Sequence, residues 1–163
     1  MKHTISVLVE NEFGVLSRIS GLFSGRGFNI ESLSVAPTME ADLSRMTLVT
    51  RGDDRILEQI TKQLNKLIST IKVVDFTHGD YIERELALIK VSTDAESRAE
   101  ALRIVDIFRA KVIDVTPKSY TIEITGAPVK INGILELLRP MGIKEVVRSG
   151  PVVIGRGGKG VVV

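Results

Sequence analysis

The residues best suited to hold a small molecule lie in one run, Val7-Leu8-Val9-Glu10-Asn11-Glu12-Phe13-Gly14-Val15-Leu16-Ser17-Arg18. An apolar strand stops at Asn11, and Gly14 then opens an apolar-striped helix. That junction places free helix N–H groups, a positive dipole end and a polar side chain together, with no bulky side chain over them. Such a place suits a small anion, for example the carboxylate of an amino acid. Asn29 adds a second amide at the start of the next strand, expected near the same edge. An amide oxygen would accept from an ammonium, while backbone N–H groups receive the carboxylate. Phe13, Val15, Leu16 and Ile30 would supply apolar walls. A plainer reading stays open: a tight strand-to-helix turn with Asn11 as its cap.

Other chemistry finds little support. The chain of 163 residues has no Cys, which excludes disulfides, thiolate zinc sites and cysteine nucleophiles. His3 and His78 stand in no ligand spacing and read as surface or linker residues, so no metal is expected. The carboxylates form no acid–base pair, and no hydroxyl has a nucleophile elbow around it. With no catalytic residues in view, the chain reads as a binding or regulatory module. Gly155-Arg156-Gly157-Gly158-Lys159-Gly160 matches G-x-G-x-x-G literally, but no helix follows it, so it is a tail and no dinucleotide or phosphate loop. A net charge of +2 is too small to suggest nucleic acid. No apolar run approaches a membrane span, and Met1-Lys2-His3-Thr4 enters a strand directly, without a signal peptide. The expected location is the cytoplasm.

The elements that must position these residues follow one rhythm twice. Aromatics make up only 4% of the chain, so the core must be mostly Ile, Leu and Val. Thr4–Val9 reads as a strand, and Val15, Leu16, Ile19, Leu22 and Phe23 form a helical stripe ended by Gly25-Arg26-Gly27. Phe28–Val35 and Met46–Thr50 alternate as strands. Asp53 or Asp54 caps a helix carrying Ile56, Leu57, Ile60, Leu64, Leu67 and Ile68, and Ile71–Phe76 closes the unit. After a polar join, Leu86–Val91 begins the second round. Thr93 and Glu96 suggest a capping box for a helix with the stripe Ala99, Leu102, Val105 and Phe108. Lys111–Val115 and Tyr120–Thr125 are strands, Pro128 starts a helix with Ile131, Ile134, Leu135 and Leu138, and Ile143–Arg148 is the last strand.

The predicted fold is therefore α+β: two tandem ferredoxin-like βαββαβ units, each an antiparallel four-stranded sheet with two helices on one face. Domain bounds are 1–77 and 84–163. The second strand should lie at a sheet edge and leave backbone groups unpaired, which predicts an oligomer.

These residues resemble a known family. Ser6–Asn11, Gly14–Arg18 and Gly21–Leu33 look like an ACT domain, and more narrowly that of the small regulatory subunit of acetohydroxyacid synthase (acetolactate synthase). Val35-Ala36-Pro37, Leu43–Thr47, Glu83–Leu86, Phe108-Arg109-Ala110, Ile113–Pro117 and Arg148-Ser149-Gly150 extend the likeness over essentially the whole chain. The resemblance implies a non-catalytic subunit that binds and activates a large catalytic subunit and confers feedback inhibition by valine. Leucine or isoleucine are possible effectors, because one methylene is worth only ~1–3 kcal/mol. Thiamine diphosphate, magnesium and FAD are implied on the catalytic subunit alone. The effector would lie between the ACT domains of a homodimer, on Asn11, Gly14, Val15 and Leu16 of one subunit and Asn29 and Ile30 of its partner. A stand-alone amino-acid sensor acting on another partner is the alternative.

Overall fold

The computed structural model describes residues 1–158, 160 and 161. It divides into two compact units: Met1–Ile82 with the segment from Val152, and Glu83–Pro151.

The first unit runs β1 (Lys2–Glu10), α1 (Val15–Gly25), β2 (Ile30–Pro37), β3 (Leu43–Arg51), α2 (Asp54–Lys66), β4 (Thr70–Asp75). Its sheet has the order β2-β3-β1-β4, antiparallel at every pair, with β2 at an edge as expected. Strand periodicity puts Ile5, Val7 and Val9 on the helix-facing side, opposite Leu48, Met46 and Ser44. Val15, Ile19 and Phe23 of α1 and Leu57, Ile60 and Leu64 of α2 complete that core. Burying a side chain such as Phe23 is worth about 1.5–3 kcal/mol. Asp53 caps α2 as predicted, its Oδ1 accepting from Ile56 N at 2.9 Å. Ile68 does not belong to the buried stripe; it lies past the end of α2 and is exposed.

The opposite face of this sheet is less bare than two helices per sheet would suggest. Thr4, Ser6, Leu8 and Thr47 are all buried. A ninth strand, β9 (Val152–Gly155), forms where the sequence shows only a glycine-rich tail. Arg45 fastens it: its Nε donates to Ser6 Oγ at 2.9 Å and its Nη2 to Val153 O at 2.9 Å. Burial pushes the Arg45 guanidinium below its ordinary pKa. Lys159, Val162 and Val163 of the tail lie outside the described residues.

The second unit contains β5 (Tyr81–Ser92, beginning at the unit boundary), α3 (Arg98–Ile107), β6 (Lys111–Val115), β7 (Ser119–Gly126), α4 (Pro128–Leu138), a 3-10 turn and β8 (Ile143–Arg148). Its sheet order β6-β7-β5-β8 repeats that of the first. Pro128 sits in the first turn of α4 as expected. Two details depart from the reading above. Thr93 and Glu96 form no capping box; the Asp94 Oδ1 accepts from the N–H groups of Glu96 and Ser97, and the helix starts at Arg98. The stripe of α3 accordingly shifts to Ala101, Ile104 and Val105, leaving Ala99 and Leu102 exposed.

Candidate functional site

The loop between β1 and α1, together with the first turn of α1, carries four of the six expected site residues. Gly14 is the N-cap of α1, with φ +80° and ψ −2°, a left-handed conformation that costs glycine little and other residues about 1–2 kcal/mol. Among the described residues no side chain caps this helix start, which leaves the first N–H groups of α1 available to another acceptor. The carbonyl of Gly14 accepts the first helical bond, from Arg18 N at 2.9 Å. Asn11 is held on both its backbone and its amide: its N donates to Asp42 O at 2.7 Å and its Nδ2 to Ala41 O at 3.0 Å. This leaves Oδ1 as an acceptor on an exposed side chain. Val15 is buried in the core, whereas Leu16 stays 44% exposed. Phe13 is fully exposed and forms no wall within one copy of the chain.

Asn29 and Ile30 are elsewhere. Ile30 pairs with Thr50, and Thr50 pairs with His3, at the beginning of β1. The Asn11 loop leaves the other end, where Glu10 pairs with Leu43. From His3 to Glu10 the strand advances about seven residue steps, or ~23 Å at ~3.3 Å per residue. The expectation that Asn29 shares an edge with Asn11 is therefore corrected: within one copy they stand at opposite ends of the sheet. The reason is topological. β2 is parallel to β1, so it begins where β1 begins and not where β1 ends. Asn29 is exposed, its carbonyl accepting from Thr50 Oγ1 at 2.7 Å, and Ile30 packs partly against the core.

His3 is also corrected. It is buried, with Nε2 2.9 Å from Gly52 O and Nδ1 3.4 Å from Thr77 Oγ1, and so ties strand ends together. Among the described residues no group of three or more His, Asp or Glu side chains could hold a metal ion. No helix there is long and apolar enough to cross a membrane.

Residue types did not reveal the support behind the loop. Arg18 Nη1 donates to Ser69 Oγ at 3.2 Å, and Ser69 Oγ donates to Glu12 Oε1 at 2.8 Å. Ser69 is 57 positions from Glu12. The available signal was the four-residue spacing from Gly14 to Arg18, which places the arginine over the turn that begins the helix.

Two βαββαβ units, a bare glycine-started helix and an edge strand β2 define the chain as a tandem ferredoxin-like protein of ACT type. Comparison with known proteins narrows this. Residues 5–72 match the family model "AHAS small subunit-like ACT domain", and residues 84–157 match "Small subunit of acetolactate synthase". The chain is 54% identical to the acetolactate synthase small subunit of Mycolicibacterium smegmatis, over 98% of this chain and 94% of that one. It is 55% identical to that of Aquifex aeolicus, over 95% and 81%. The crystal structure of the acetolactate synthase small subunit from Thermotoga maritima superposes with a TM-score of 0.88 at 40% identity, covering 98% and 99% of the two chains. The chain belongs to the acetolactate synthase small-subunit family, and is thus a non-catalytic regulatory subunit.

Proposed function

We propose that two copies of this subunit join through their ACT domains and bind a branched-chain amino acid, valine first, between them. The bound pair then lowers the activity of a thiamine-diphosphate-dependent catalytic subunit that the effector-free subunit activates. The observation that carries this reading is the separation of Asn29 and Ile30 from the Asn11–Leu16 loop. One copy cannot use both sets on one small ligand.

Two copies can. β2 is an edge strand, and pairing two such edges antiparallel about a two-fold axis brings the Ile30 end of one to the Pro37 end of the other. Pro37 pairs with Ser44, and Ser44 with Val9, beside the exit of the Asn11 loop. The partner's β2 start is then delivered to the end of the sheet where the α1 N–H groups are free. Carboxylate on the Val15 and Leu16 N–H groups, ammonium on the amide oxygens and the branched side chain on apolar residues make a consistent pose. A ligand bridging two subunits favours one relative orientation, and that difference in affinity is what can reach the catalytic subunit. The choice of valine rests on the family.

The test is subunit complementation. Gly14→Asp sets a carboxylate against the effector's own, and Asn29→Ala removes the partner's amide; each alone should abolish or weaken valine inhibition while activation remains. In a mixed dimer of the two variants, one site carries both changes and the other carries neither. One valine should then bind per dimer, with partial inhibition. No recovery in the mixed dimer would mean that all the contacts come from a single subunit.

A further inference from the structure

We propose that Arg18 is a charged partner for the effector's carboxylate and that Ser69 is the positioning residue that holds it there, an inference that rests on the shared site proposed above.

The start of α1 supplies N–H groups but no full charge. Arg18, one helical turn on, has a side chain that leans toward the helix N-terminus, as helical side chains do. Its Nη2 lies 3.9 Å from where a Cβ on residue 14 would stand. The guanidinium is therefore beside the glycine whose bareness opens the site. Among the described residues no carboxylate lies within ion-pair distance of it, so its charge is not neutralised by a direct contact.

What fixes the guanidinium is Ser69, which is buried to all but 2%. Its hydroxyl accepts from Arg18 Nη1 and donates to Glu12 Oε1, and its carbonyl accepts from Glu10 N at 2.9 Å. One residue at the α2–β4 corner thus touches the last residue of β1, the loop and the helix. Glu12 takes the single Ser69 proton, which leaves the lone pairs of the hydroxyl to the guanidinium. A cavity of about 400 Å³ opens beside this group, with Val15, Leu67 and Ile68 as apolar lining, which leaves room for an aliphatic side chain next to the charge.

A purely structural role for Arg18 would affect all ligands alike. A role on the carboxylate would not, and L-valinamide, which keeps the side chain and ammonium but lacks the carboxylate, separates the two. Calorimetric titration of the full chain with L-valine and with L-valinamide should show a preference for valine. In Arg18→Gln, valine affinity should fall about tenfold and valinamide affinity less than about twofold, the size of a charge-assisted hydrogen bond. Arg18→Lys, which keeps a positive charge, should retain more of the preference than Arg18→Gln. Ser69→Ala should reduce the preference in the same direction, and adding it to Arg18→Gln should cost nothing further if Ser69 acts through Arg18. Should Arg18→Gln not fold, the valine-to-valinamide ratio of Ser69→Ala decides alone. Equal losses for both ligands, or an unchanged preference, overturn the proposal; the shared site still stands if Gly14→Asp abolishes valine binding. Normal valine binding by Gly14→Asp would refute the site reading and this proposal together.

Discussion

Gly14 and Arg109 share a left-handed backbone, with φ of +80° and +53°, and only one of them has the residue type for it. At Gly14 the missing side chain belongs to the proposed site, because it bares the helix start. At Arg109 the conformation ends α3: the N–H of Arg109 donates to Asp106 O at 3.1 Å and that of Ala110 to Val105 O at 2.9 Å. Glycine is the usual residue at such a helix end. Arg109→Gly should therefore stabilise the second unit by about 0.5–1 kcal/mol, the relief of the left-handed strain less glycine's extra chain entropy. Urea unfolding followed by a probe in the second unit measures it. An unchanged or lower midpoint would show that the guanidinium itself contributes. The two positions also mark what residue types reveal. Gly14 was legible because its type matches its conformation and a strand and helix flank it. Arg109 was not, because nothing local requires an arginine to turn left. Ser69 was hidden for another reason: it matters through partners 51 and 57 positions away, and only the packed corner brings them together.

At the scale of elements, the helices were read from their apolar spacing and the errors came from their ends. The start of α3 shows why. Thr93 and Asp94 both have the oxygen a cap needs, and the choice between them moves the whole buried stripe. Asp94 takes the role, and the Thr93 hydroxyl is buried with no hydrogen-bond partner among the described residues. Hydrogen bonds from the Ser97 backbone, then from its side chain and the Glu96 backbone, hold the Asp94 carboxyl below its ordinary pKa. Its folded value lies below its unfolded one, so its stabilisation is complete above the unfolded carboxylate pKa and is lost as pH falls through the folded value. Asp94→Ala should lower the melting temperature of the second unit at neutral pH, and the gap to wild type should narrow below about pH 4. A gap that stays constant down to strongly acidic pH would mean that the charge of Asp94 does not support the helix. The sheets posed a different difficulty. Strand existence follows from alternation, and the edge place of β2 follows from the topology. The end at which β2 begins follows only from its pairing with β3, and that register separates Asn29 from Asn11.

At the scale of the whole molecule, the same supersecondary unit occurs twice and only one of the two carries the residues of the proposed site. Ser92-Thr93-Asp94 stands in the second unit where Asn11–Gly14 stands in the first, with no left-handed glycine and with Asp94 already satisfying the N–H groups that precede α3. An anion arriving there would meet a carboxylate. The effector should therefore act on one unit and one interface. In hydrogen exchange of the full chain, valine should raise protection in α1, β2 and the β1–α1 loop and leave β5–β8 unchanged. At about 100 times its Kd it should add ~2.7 kcal/mol to the first unit's stability. The proposed site needs a second copy to complete it, so that protection should fall when the protein is diluted below its dimer dissociation constant, even with valine saturating at higher protein concentration. Protection that ignores protein concentration would place the whole effector site in one subunit. Equal protection in β5–β8 would mean that the second unit also senses the ligand. Dependence on concentration with a response confined to the first unit is the signature of an edge strand, a bare helix start and a two-fold axis acting together.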